Sequence, residues 1–539
     1  MKLSIALAQL NLFVGDIDGN QSRILEAAAY ARDELAADLV VFPELCISGY
    51  PPEDLLLRPD FIAKAQNALN HLAENARGIG LVVGFPESLD GRLFNSAAWL
   101  HSGRVQALYR KSRLPNYGVF DEKRYFASAN DPCLFSIHGV QLALTLCEDV
   151  WTEGAVERAC AAGAQLILNL NASPFHARKV FEREAVLRER IRATGLPIVY
   201  VNQVGGQDEL VFDGVSFAMD ARGEVFYRAP EFESCIELVE FNLDRGLSPI
   251  RSRIAPTYTE TASEYKALVL GVRDYVTKNG FHGAVLGLSG GIDSALTLAI
   301  AVDALGSESV EAVLMPSRYT ASMSNEDALE EARLLGVKSQ VIPIEPAVDA
   351  FSGMLAECFR GMAPDTTEEN LQARCRGVVL MAISNKKRKL LLTTGNKSEM
   401  SVGYATLYGD MAGGFAPLKD VPKMLVYRLA EYRNSLSEVI PRRVFERAPS
   451  AELAPNQVDQ DSLPPYPVLD AILALYVEQD RSIAEIVAAG FEPEVVKRVV
   501  GLVNQNEYKR RQAPPGVRIT AKAFGRDRRY PMTSGFRPF

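Results

Sequence analysis

Paired cysteines and paired histidines are the first features that this sequence lacks. It has seven cysteines but no Cys-x-x-Cys pair, and five histidines but no His-x-x-x-His pair. Such pairs are the usual frameworks of zinc sites, and an even set of cysteines is the usual framework of a disulfide scaffold. The sequence therefore predicts neither, and its odd cysteine count is typical of a reducing, cytoplasmic compartment.

Long apolar runs and an excess of positive charge are also missing. No stretch approaches the ~20 apolar residues that a membrane span needs. The apolar run at 3–8 is too short for a signal peptide and continues as an alternating strand. A formal net charge of −9 argues against nucleic acid as the general partner. We therefore expect small-molecule substrates, with no membrane and no nucleic-acid partner.

Two common nucleotide-binding motifs are absent as well. No Gly-Lys-Ser/Thr follows a glycine-rich loop, which excludes the Walker pattern, and no Gly-x-Gly-x-x-Gly supports a hydride-transfer enzyme. The composition, 47% hydrophobic and 23% charged, is that of an ordinary globular protein. At 539 residues the chain is too long for one core, so roughly two to four domains are expected.

A glycine-rich turn of another kind is present at 289–294, with the sequence Ser-Gly-Gly-Ile-Asp-Ser. It follows an apolar run at 284–288, which predicts a buried strand, and leads into a predicted helix at 295–305. Glycines let backbone N–H groups turn inward, and a helix N-terminus adds partial positive charge, so the turn predicts a phosphate-binding loop. Asp293 can hold a magnesium ion beside the phosphates. An ordinary strand-to-helix turn is the structural alternative.

This turn resembles the pyrophosphate loop of the ATP-pyrophosphatase synthetases, which split ATP into AMP and diphosphate while they adenylate a substrate. The resemblance implies ATP as co-substrate and Mg²⁺ as cofactor. The ATP-binding residues that it implies are Gly287, Leu288, Ser289, Gly290, Gly291, Ile292, Asp293, Ser294 and Thr394.

The first half of the chain alternates predicted strands with predicted helices. Strands at 39–43 and 140–146 and helices at 20–36 and 177–194 are examples. Elements of these lengths indicate an α/β domain with helices packed outside sheets. In such folds the reactive groups usually follow the ends of strands.

Three reactive side chains, Glu44, Lys111 and Cys147, lie just after predicted strands. A nucleophilic cysteine needs a base for its proton and a donor for the oxyanion that then develops. A carboxylate, an ammonium and a thiol supply these needs without histidine. Taken singly, Glu44 and Lys111 are also compatible with a surface ion pair, and Cys147 with a small core residue.

Together, these three residues resemble the nitrilase superfamily, whose α-β-β-α sandwich hydrolyses carbon–nitrogen bonds. The flanking runs 44–51 and 111–126 are similar to the glutaminase domain of the glutamine-dependent NAD synthetases. The resemblance implies that Cys147 attacks the amide of glutamine, that Glu44 is the general base and that Lys111 stabilises the tetrahedral intermediate. It also implies a glutamine-binding set, namely Tyr117, Ser173 and Lys179.

Glu122 has two readings. It lies in the same resembling run and can support Lys111. As part of a charged Asp-Glu-Lys-Arg stretch, it can also be a solvated surface charge.

The second half predicts a Rossmann-like domain with a parallel sheet. We expect a glutaminase domain at 1–245, a Pro- and Arg-containing linker at 246–260, and a synthetase domain at 261–539. The alternation of strands and helices after 284 indicates a doubly wound arrangement, with substrate over the carboxyl ends of the strands.

Three further runs, 368–374, 393–399 and 408–417, are similar to the same synthetases. The resemblance implies that Asn370, Glu399 and Lys509 bind deamido-NAD and that Asp293 and Glu399 are the magnesium ligands. The structural alternatives are a polar helix face for Asn370 and Arg374, and a helix N-terminal charge for Glu399.

The C-terminal region from 509 onward has nine Lys or Arg residues and one acid, Asp527. We expect these cations to face the diphosphate of a dinucleotide rather than DNA. Two loop-like segments, 360–366 and 445–467, receive no functional assignment.

The implied reaction amidates the nicotinate carboxylate of deamido-NAD with ammonia from glutamine, in a homo-oligomer with a sealed passage for ammonia. Ammonia is mostly protonated at neutral pH, which motivates the passage; dilution of amide-labelled glutamine nitrogen by free ammonia would argue against it. Three alternatives remain open: another glutamine-fed pyrophosphate-loop ligase, a plain amidase with an unrelated second domain, and a regulatory protein with an inactive site.

Overall fold

The computed structural model describes residues 1–244, 246–250, 252–455 and 457–536. The chain divides into two compact units, Met1–Thr259 and Glu260–Phe539. The predicted domain ends, Arg245 and Phe539, lie outside the described residues. Much of the stretch predicted as a linker belongs to the first unit, since a short strand at 248–249 pairs with strand 235–242.

The described residues of the first unit form fifteen strands and four α-helices. The strands are β1 (Lys2–Gln9), β2 (Leu39–Val41), β3 (Gly80–Leu89), β4 (Arg92–His101), β5 (Arg104–Arg110), β6 (Leu134–Ile137), β7 (Val140–Leu146), β8 (Leu166–Asn171), β9 (Ile198–Asn202), β10 (Val204–Gln207), β11 (Leu210–Asp213), β12 (Phe217–Met219), β13 (Val225–Arg228), β14 (Cys235–Asn242) and β15 (Ser248–Pro249). The helices are α1 (Ile17–Asp33), α2 (Pro59–Asn75), α3 (Ala155–Ala161) and α4 (Lys179–Thr194).

Two sheets face each other in this unit. One has the order β15-β14-β1-β2-β3-β4-β5 and the other β13-β12-β9-β8-β7-β6, while β10 and β11 form a separate hairpin. Because side chains alternate along a strand, Leu3, Ile5 and Leu7 of β1 point into a core shared with Leu142 and Leu144 of β7. The inner faces of the two sheets are therefore apolar and packed together.

The outer faces of both sheets are covered by helices. Ala6 and Ala8 of β1 contact a cluster that includes Ala28 and Ala31 of α1, because small side chains let a helix approach a sheet closely. On the other sheet, α3 and α4 pack over β7, β8 and β9. The predicted α-β-β-α sandwich is confirmed.

The second unit contains four strands and twelve α-helices among its described residues. The strands are β16 (Ala284–Gly287), β17 (Val310–Leu314), β18 (Lys338–Val341) and β19 (Leu390–Leu392). The helices are α5 (Glu260–Lys278), α6 (Ile292–Leu305), α7 (Ser322–Leu334), α8 (Glu345–Leu355), α9 (Thr366–Lys387), α10 (Lys397–Val402), α11 (Lys423–Leu436), α12 (Arg442–Glu446), α13 (Tyr466–Leu473), α14 (Ile483–Ala488), α15 (Pro493–Gln505) and α16 (Glu507–Arg510), with a π-helical turn at Ala474–Glu478.

The four strands form one parallel sheet in the order β18-β17-β16-β19. The strands are short and β16, β17 and β19 are mostly buried, as expected when helices cover a parallel sheet. This agrees with the Rossmann-like prediction. A second apolar cluster, formed mainly by α13, the π-helical turn and α15, holds the C-terminal helices together.

Among the described residues, no helix is both long enough and apolar enough to cross a membrane.

Candidate active sites

Three strand ends of the first unit deliver the predicted catalytic residues of the glutaminase. Glu44 follows β2, Lys111 follows β5, and Cys147 follows β7 directly. The chain around Glu44 lies very close to β3: a Cβ at Gly84 would be 2.4 Å from the backbone nitrogen of Leu45, so only glycine fits there.

Lys111 is buried between two carboxylates. Its Nζ is 2.6 Å from Oε1 of Glu44 and 2.9 Å from Oε1 of Glu122, and its side chain is 0% exposed. Tyr50 also donates its hydroxyl to Glu122. Glu122 therefore supports Lys111, and the reading of Glu122 as a solvated surface charge is wrong.

The electrostatics of this cluster follow from burial and from the paired charges. Burial alone would lower the pKa of Lys111, but the Glu122 and Glu44 carboxylates outweigh it and hold that pKa well above its ordinary value. Burial raises the pKa of Glu122 to about 7, against the opposing effect of Lys111. Lys111 thus stays charged at neutral pH.

Glu44 is fixed by three donors, one of which the sequence did not reveal. Asn95, in the middle of β4, donates its Nδ2 to Oε1 of Glu44 at 2.7 Å, and the Ala172 backbone N–H donates to Oε2 at 3.1 Å. Lys111 supplies the third hydrogen bond. A polar Asn-Ser pair inside the apolar run of β4 was the available signal.

Cys147 begins a tight turn with an unusual backbone. Its φ of +39° lies in the left-handed region, which costs a non-glycine residue about 1–3 kcal/mol unless the surroundings enforce it. The thiol is buried, and burial together with the Glu44 carboxylate raises its pKa well above the ordinary value. A resting thiol that holds its proton needs a base in order to react.

The predicted glutamine-binding residues lie around Cys147. Tyr117 donates to Glu148, the neighbour of Cys147, at 3.0 Å. The Lys179 ammonium is 4.0 Å from the centre of the Trp151 ring, and burial lowers its pKa. The buried Ser173 lies two residues after the end of β8, and Arg183 donates to its hydroxyl at 3.2 Å.

The glycine-rich loop of the second unit connects β16 to α6 as predicted. Ser289 Oγ and Ser294 Oγ are 3.0 Å apart, and Ser294 donates to the Gly291 carbonyl at 2.9 Å. Gly290 has a φ of +82°, and a Cβ there would be 2.3 Å from the carbonyl oxygen of Ser324. Both the conformation and the space require glycine.

A lysine that the sequence did not single out joins the two predicted metal ligands. Lys423, at the start of α11, pairs with Asp293 at 2.5 Å and with Glu399 at 3.4 Å. Burial raises the pKa of Glu399 to about 8, although Lys423 opposes the shift. Asn396 donates to Asp293 at 2.8 Å and accepts the backbone N–H of Glu399.

These two carboxylates are compatible with a bound cation, because an ammonium already lies against both. No cluster of three or more metal-ligating side chains occurs in the part of the chain that the structure describes. A metal here would take its remaining ligands from phosphate and water, which is how Mg²⁺ is usually held.

A cavity of about 520 Å³ opens over the loop. All of the predicted ATP-binding residues line it, as do Asn370, Glu399 and Lys509. Asn370 accepts a hydrogen bond from the Thr406 hydroxyl at 2.7 Å. Lys509 donates to the carbonyl groups of Gly403 and Ala405.

Comparisons with known proteins match each of the two units to a known protein family. A family model described as carbon-nitrogen hydrolase matches residues 4–246, and one described as NAD synthase matches residues 264–513. A glutamine-dependent NAD(+) synthetase of Xanthomonas campestris pv. campestris is 51% identical over 539 residues, which is 99% of this chain and 98% of that protein. The chain belongs to the glutamine-dependent NAD(+) synthetases.

Other proteins of this family are similar to the chain over nearly its full length. The protein of that name from Acinetobacter baylyi is 49% identical, with 99% of each chain covered. The solved structure of glutamine-dependent NAD+ synthetase from Acinetobacter baumannii in complex with ADP is 48% identical, with a TM-score of 0.81 and coverage of 99% of this chain and 98% of that chain.

This protein is therefore a glutamine-dependent carbon–nitrogen ligase with a glutaminase unit and an NAD synthase unit. Family membership over nearly the full length leaves the plain amidase and the other glutamine-fed ligase without support.

One segment without an assignment in the sequence is part of the synthetase cavity. Nine described residues of the Pro-rich run 445–467 line the cavity, although the sequence of this run carried no recognisable signal. Arg447 holds this segment in place by pairing with Glu452 and donating to Ser324 Oγ. The other unassigned segment, 360–366, contributes Thr366.

The prediction for the basic C-terminal region is wrong for most of its cations. Lys509 is the member of the run, among its described residues, that lines the cavity. Arg510 and Arg511 pair with Glu507 at 2.9 and 3.0 Å, and Arg518 pairs with Asp527. Arg374 also does not line the cavity and donates to the Leu407 carbonyl instead. These cations stabilise the fold rather than face a ligand.

Proposed function

We propose that the first unit hydrolyses glutamine to glutamate and ammonia, and that the second unit uses this ammonia with ATP to convert deamido-NAD into NAD. The observation that carries the proposal is the fully buried Lys111 between Glu44 and Glu122, beside the free thiol of Cys147. Burying three charges is costly. Such a cluster is expected where the charges take part in a reaction.

In the first unit, Cys147 Sγ attacks the side-chain amide carbon of glutamine. Glu44 accepts the thiol proton and returns it to the departing ammonia, while the Lys111 ammonium donates to the oxyanion. A thioester to glutamate results. Glu44 then activates a water molecule that hydrolyses the thioester and restores the thiol.

Recognition of free glutamine needs groups of both signs for its α-ammonium and α-carboxylate. Glu148, next to the nucleophile, supplies a carboxylate, and Lys179 supplies a cation. Both lie close enough to interact electrostatically, since Lys179 lowers the pKa of Glu148 against the larger effect of burial. Tyr117 and Ser173 complete the proposed subsite.

In the second unit, the loop N–H groups, Ser289, Ser294 and the N-terminus of α6 bind the diphosphate of ATP. The solved structure of the Acinetobacter baumannii relative is a complex with ADP, which supports an adenine nucleotide as a substrate. Asp293 and Glu399 would hold Mg²⁺, whose charge offsets that of the phosphates. Besides the N-terminus of α6 and the metal ion, the Lys423 ammonium next to Asp293 adds positive charge near the phosphates.

The substrate carboxylate of deamido-NAD attacks the α-phosphorus of ATP and displaces diphosphate. Ammonia then attacks the acyl adenylate and displaces AMP, which leaves the amide of NAD. Asn370, Glu399 and Lys509 would hold the dinucleotide, because they line the same cavity as the phosphate loop.

The direct test is NAD formation from deamido-NAD, ATP and Mg²⁺ with glutamine or ammonia as the nitrogen source. We expect NAD from both sources, with AMP and diphosphate formed in equal amounts. ATP consumption that requires a different carboxylate substrate would contradict the proposal.

We also propose that the protein works as a homo-oligomer in a reducing, cytoplasmic compartment. Helix α8 has no buried residue, and Phe351, Met354 and Met362 expose 42%, 75% and 70% of their surface. Exposed apolar side chains grouped in this way are typical of an interface. All seven cysteines are free thiols. A mass by light scattering of at least two chains is expected.

A further inference from the structure

Asp149 has no role in the chemistry proposed above, yet it is fully buried two residues after Cys147. Each carboxylate oxygen accepts two hydrogen bonds from uncharged donors. The donors to Oδ1 are the backbone N–H groups of Ser112 and Arg113, at 3.0 and 2.8 Å, and those to Oδ2 are the Leu146 N–H and the Tyr109 hydroxyl, at 3.0 and 2.8 Å.

These donors flank both reactive groups. Ser112 and Arg113 directly follow Lys111, and Leu146 directly precedes Cys147. The first pair follows the end of β5 in one sheet, and Leu146 ends β7 of the facing sheet. One carboxylate therefore connects the two chain segments on which the ammonium and the thiol stand.

We propose that Asp149 is a positioning residue that fixes the Cys147 thiol relative to the Lys111 ammonium for attack on glutamine. This inference rests on the proposed function of Cys147. The Cys147 turn needs such support, because its φ of +39° is disfavoured and the Leu146 N–H is bound by the Asp149 side chain. A carboxylate is required, because only a group with two acceptor oxygens satisfies four donors.

The variant Asp149→Asn keeps the shape but replaces one oxygen by an NH₂ donor. If the remaining oxygen faces Ser112 and Arg113, the new NH₂ group and the Leu146 N–H are two donors that point at each other. The Tyr109 hydroxyl can rotate and accept a hydrogen bond from the NH₂ group, but the Leu146 N–H loses its acceptor. The opposite orientation would lose two backbone donors instead. The variant is therefore expected to release the Cys147 turn and to leave the Lys111 side in place.

We expect glutamine-dependent kcat of Asp149→Asn to fall by about 10²-fold, because small misplacement of a nucleophile has effects of that size. The KM for glutamine should change little, since Asp149 does not belong to the proposed glutamine subsite. Ammonia-dependent NAD formation by the same protein should be unchanged, since the second unit is untouched.

A matched control is Glu87→Gln on β3. Glu87 is also a buried acid, and it accepts hydrogen bonds from Ser96 on β4 and from Arg110, which directly precedes Lys111. None of these hydrogen bonds involves Lys111 or the turn at Cys147. We expect a lower Tm and an unchanged glutamine-dependent kcat. Equal kcat losses in both variants, or an unchanged kcat in Asp149→Asn, would overturn the positioning role.

Cys147→Ala separates this inference from the proposed function. Glutamine use that survives in Cys147→Ala contradicts the function itself. Glutamine use lost in Cys147→Ala but retained in Asp149→Asn contradicts only the positioning role. If Asp149→Asn does not fold, Tyr109→Phe provides a second test, because it removes one of the two donors to Oδ2 of Asp149. A lower glutamine-dependent kcat with normal ammonia-dependent synthesis supports the inference. An unchanged glutamine-dependent kcat overturns it.

Discussion

Charged side chains held away from water dominate the chemistry at the level of single residues. Lys111 keeps its proton because two carboxylates surround it, while Cys147 keeps its proton because burial and Glu44 disfavour the thiolate. The first pKa is held high by opposite charge and the second by desolvation and like charge. This combination supplies an oxyanion donor and a nucleophile that reacts only when Glu44 accepts its proton.

A buried acid outside both sites gives a prediction about stability. Burial raises the pKa of Glu264 on α5 to about 7, with Glu260 adding to the shift and Arg428 opposing it. Between its ordinary pKa and about 7, the folded state binds more protons than the unfolded state, so this group makes stability fall as pH rises through that window. Glu264→Gln removes the dependence.

We therefore expect the Tm of Glu264→Gln to match the wild type near pH 4.5 and to exceed it at pH 8. At roughly 1.4 kcal/mol per pKa unit, the gain in the free energy of unfolding is on the order of 1–3 kcal/mol. Calorimetry across this pH range measures it. Glu260→Gln, an exposed change of the same charge on the same helix, removes only the smaller contribution of Glu260 to the shift and should give a much smaller gain. Parallel Tm profiles for Glu264→Gln and the wild type would refute the shift.

The sequence could reveal a functional residue only where local features of the chain, such as a preceding strand, marked its position. Glu44, Lys111 and Cys147 stand directly after predicted strands, and their types match one chemical task. Asn95 and Lys423 could not be found in this way. Asn95 contacts Glu44 across 51 positions, and Lys423 contacts Asp293 across 130. Their contributions depend on contacts that only the folded chain creates.

Secondary-structure elements were predictable where the hydrophobic pattern was strong. The strands β7 and β16 and the helices α4 and α6 lie close to their expected positions. The apolar stretch at 213–219 does not form one strand, because β11 ends at Asp213 and β12 begins at Phe217. Arg183 binds the Asp213 carboxylate there, and Val215 adopts a φ of +54°, so the tertiary ion pair and the local turn override the pattern.

The turn between β16 and α6 gives a prediction at the level of the element. Gly290→Ala forces a Cβ to within 2.3 Å of the Ser324 carbonyl, so the loop must move away from α7. We expect ATP-dependent NAD formation to fall by at least about 10²-fold with either nitrogen source. Steady-state assays with glutamine and with ammonia measure it.

Gly306→Ala, at the other end of α6, is the matched control. Its φ of +78° imposes similar backbone strain, but no atom lies within 4 Å of the added Cβ. A modest loss of Tm with normal activity is expected. Normal activity in Gly290→Ala would show that the loop does not need its tight contact with α7.

For the whole molecule, the sequence sufficed to assign two units with separate chemistry, because each unit carries its reactive residues in local runs. It did not suffice for the basic C-terminal region. Counting charge there suggested a ligand-facing surface, but Glu507 and Asp527 pair with Arg510, Arg511 and Arg518 in the fold. Net charge in a segment cannot reveal which cations are already paired.

The most direct test of two separate sites is NAD formation by Cys147→Ala and Asp293→Asn, each supplied with glutamine or ammonia. Cys147→Ala should lose glutamine-dependent synthesis by at least about 10³-fold, as expected for a missing nucleophile, and should keep ammonia-dependent synthesis. Asp293→Asn should lose both. Glutamine-dependent synthesis by Cys147→Ala, or continued synthesis by Asp293→Asn, would contradict the account.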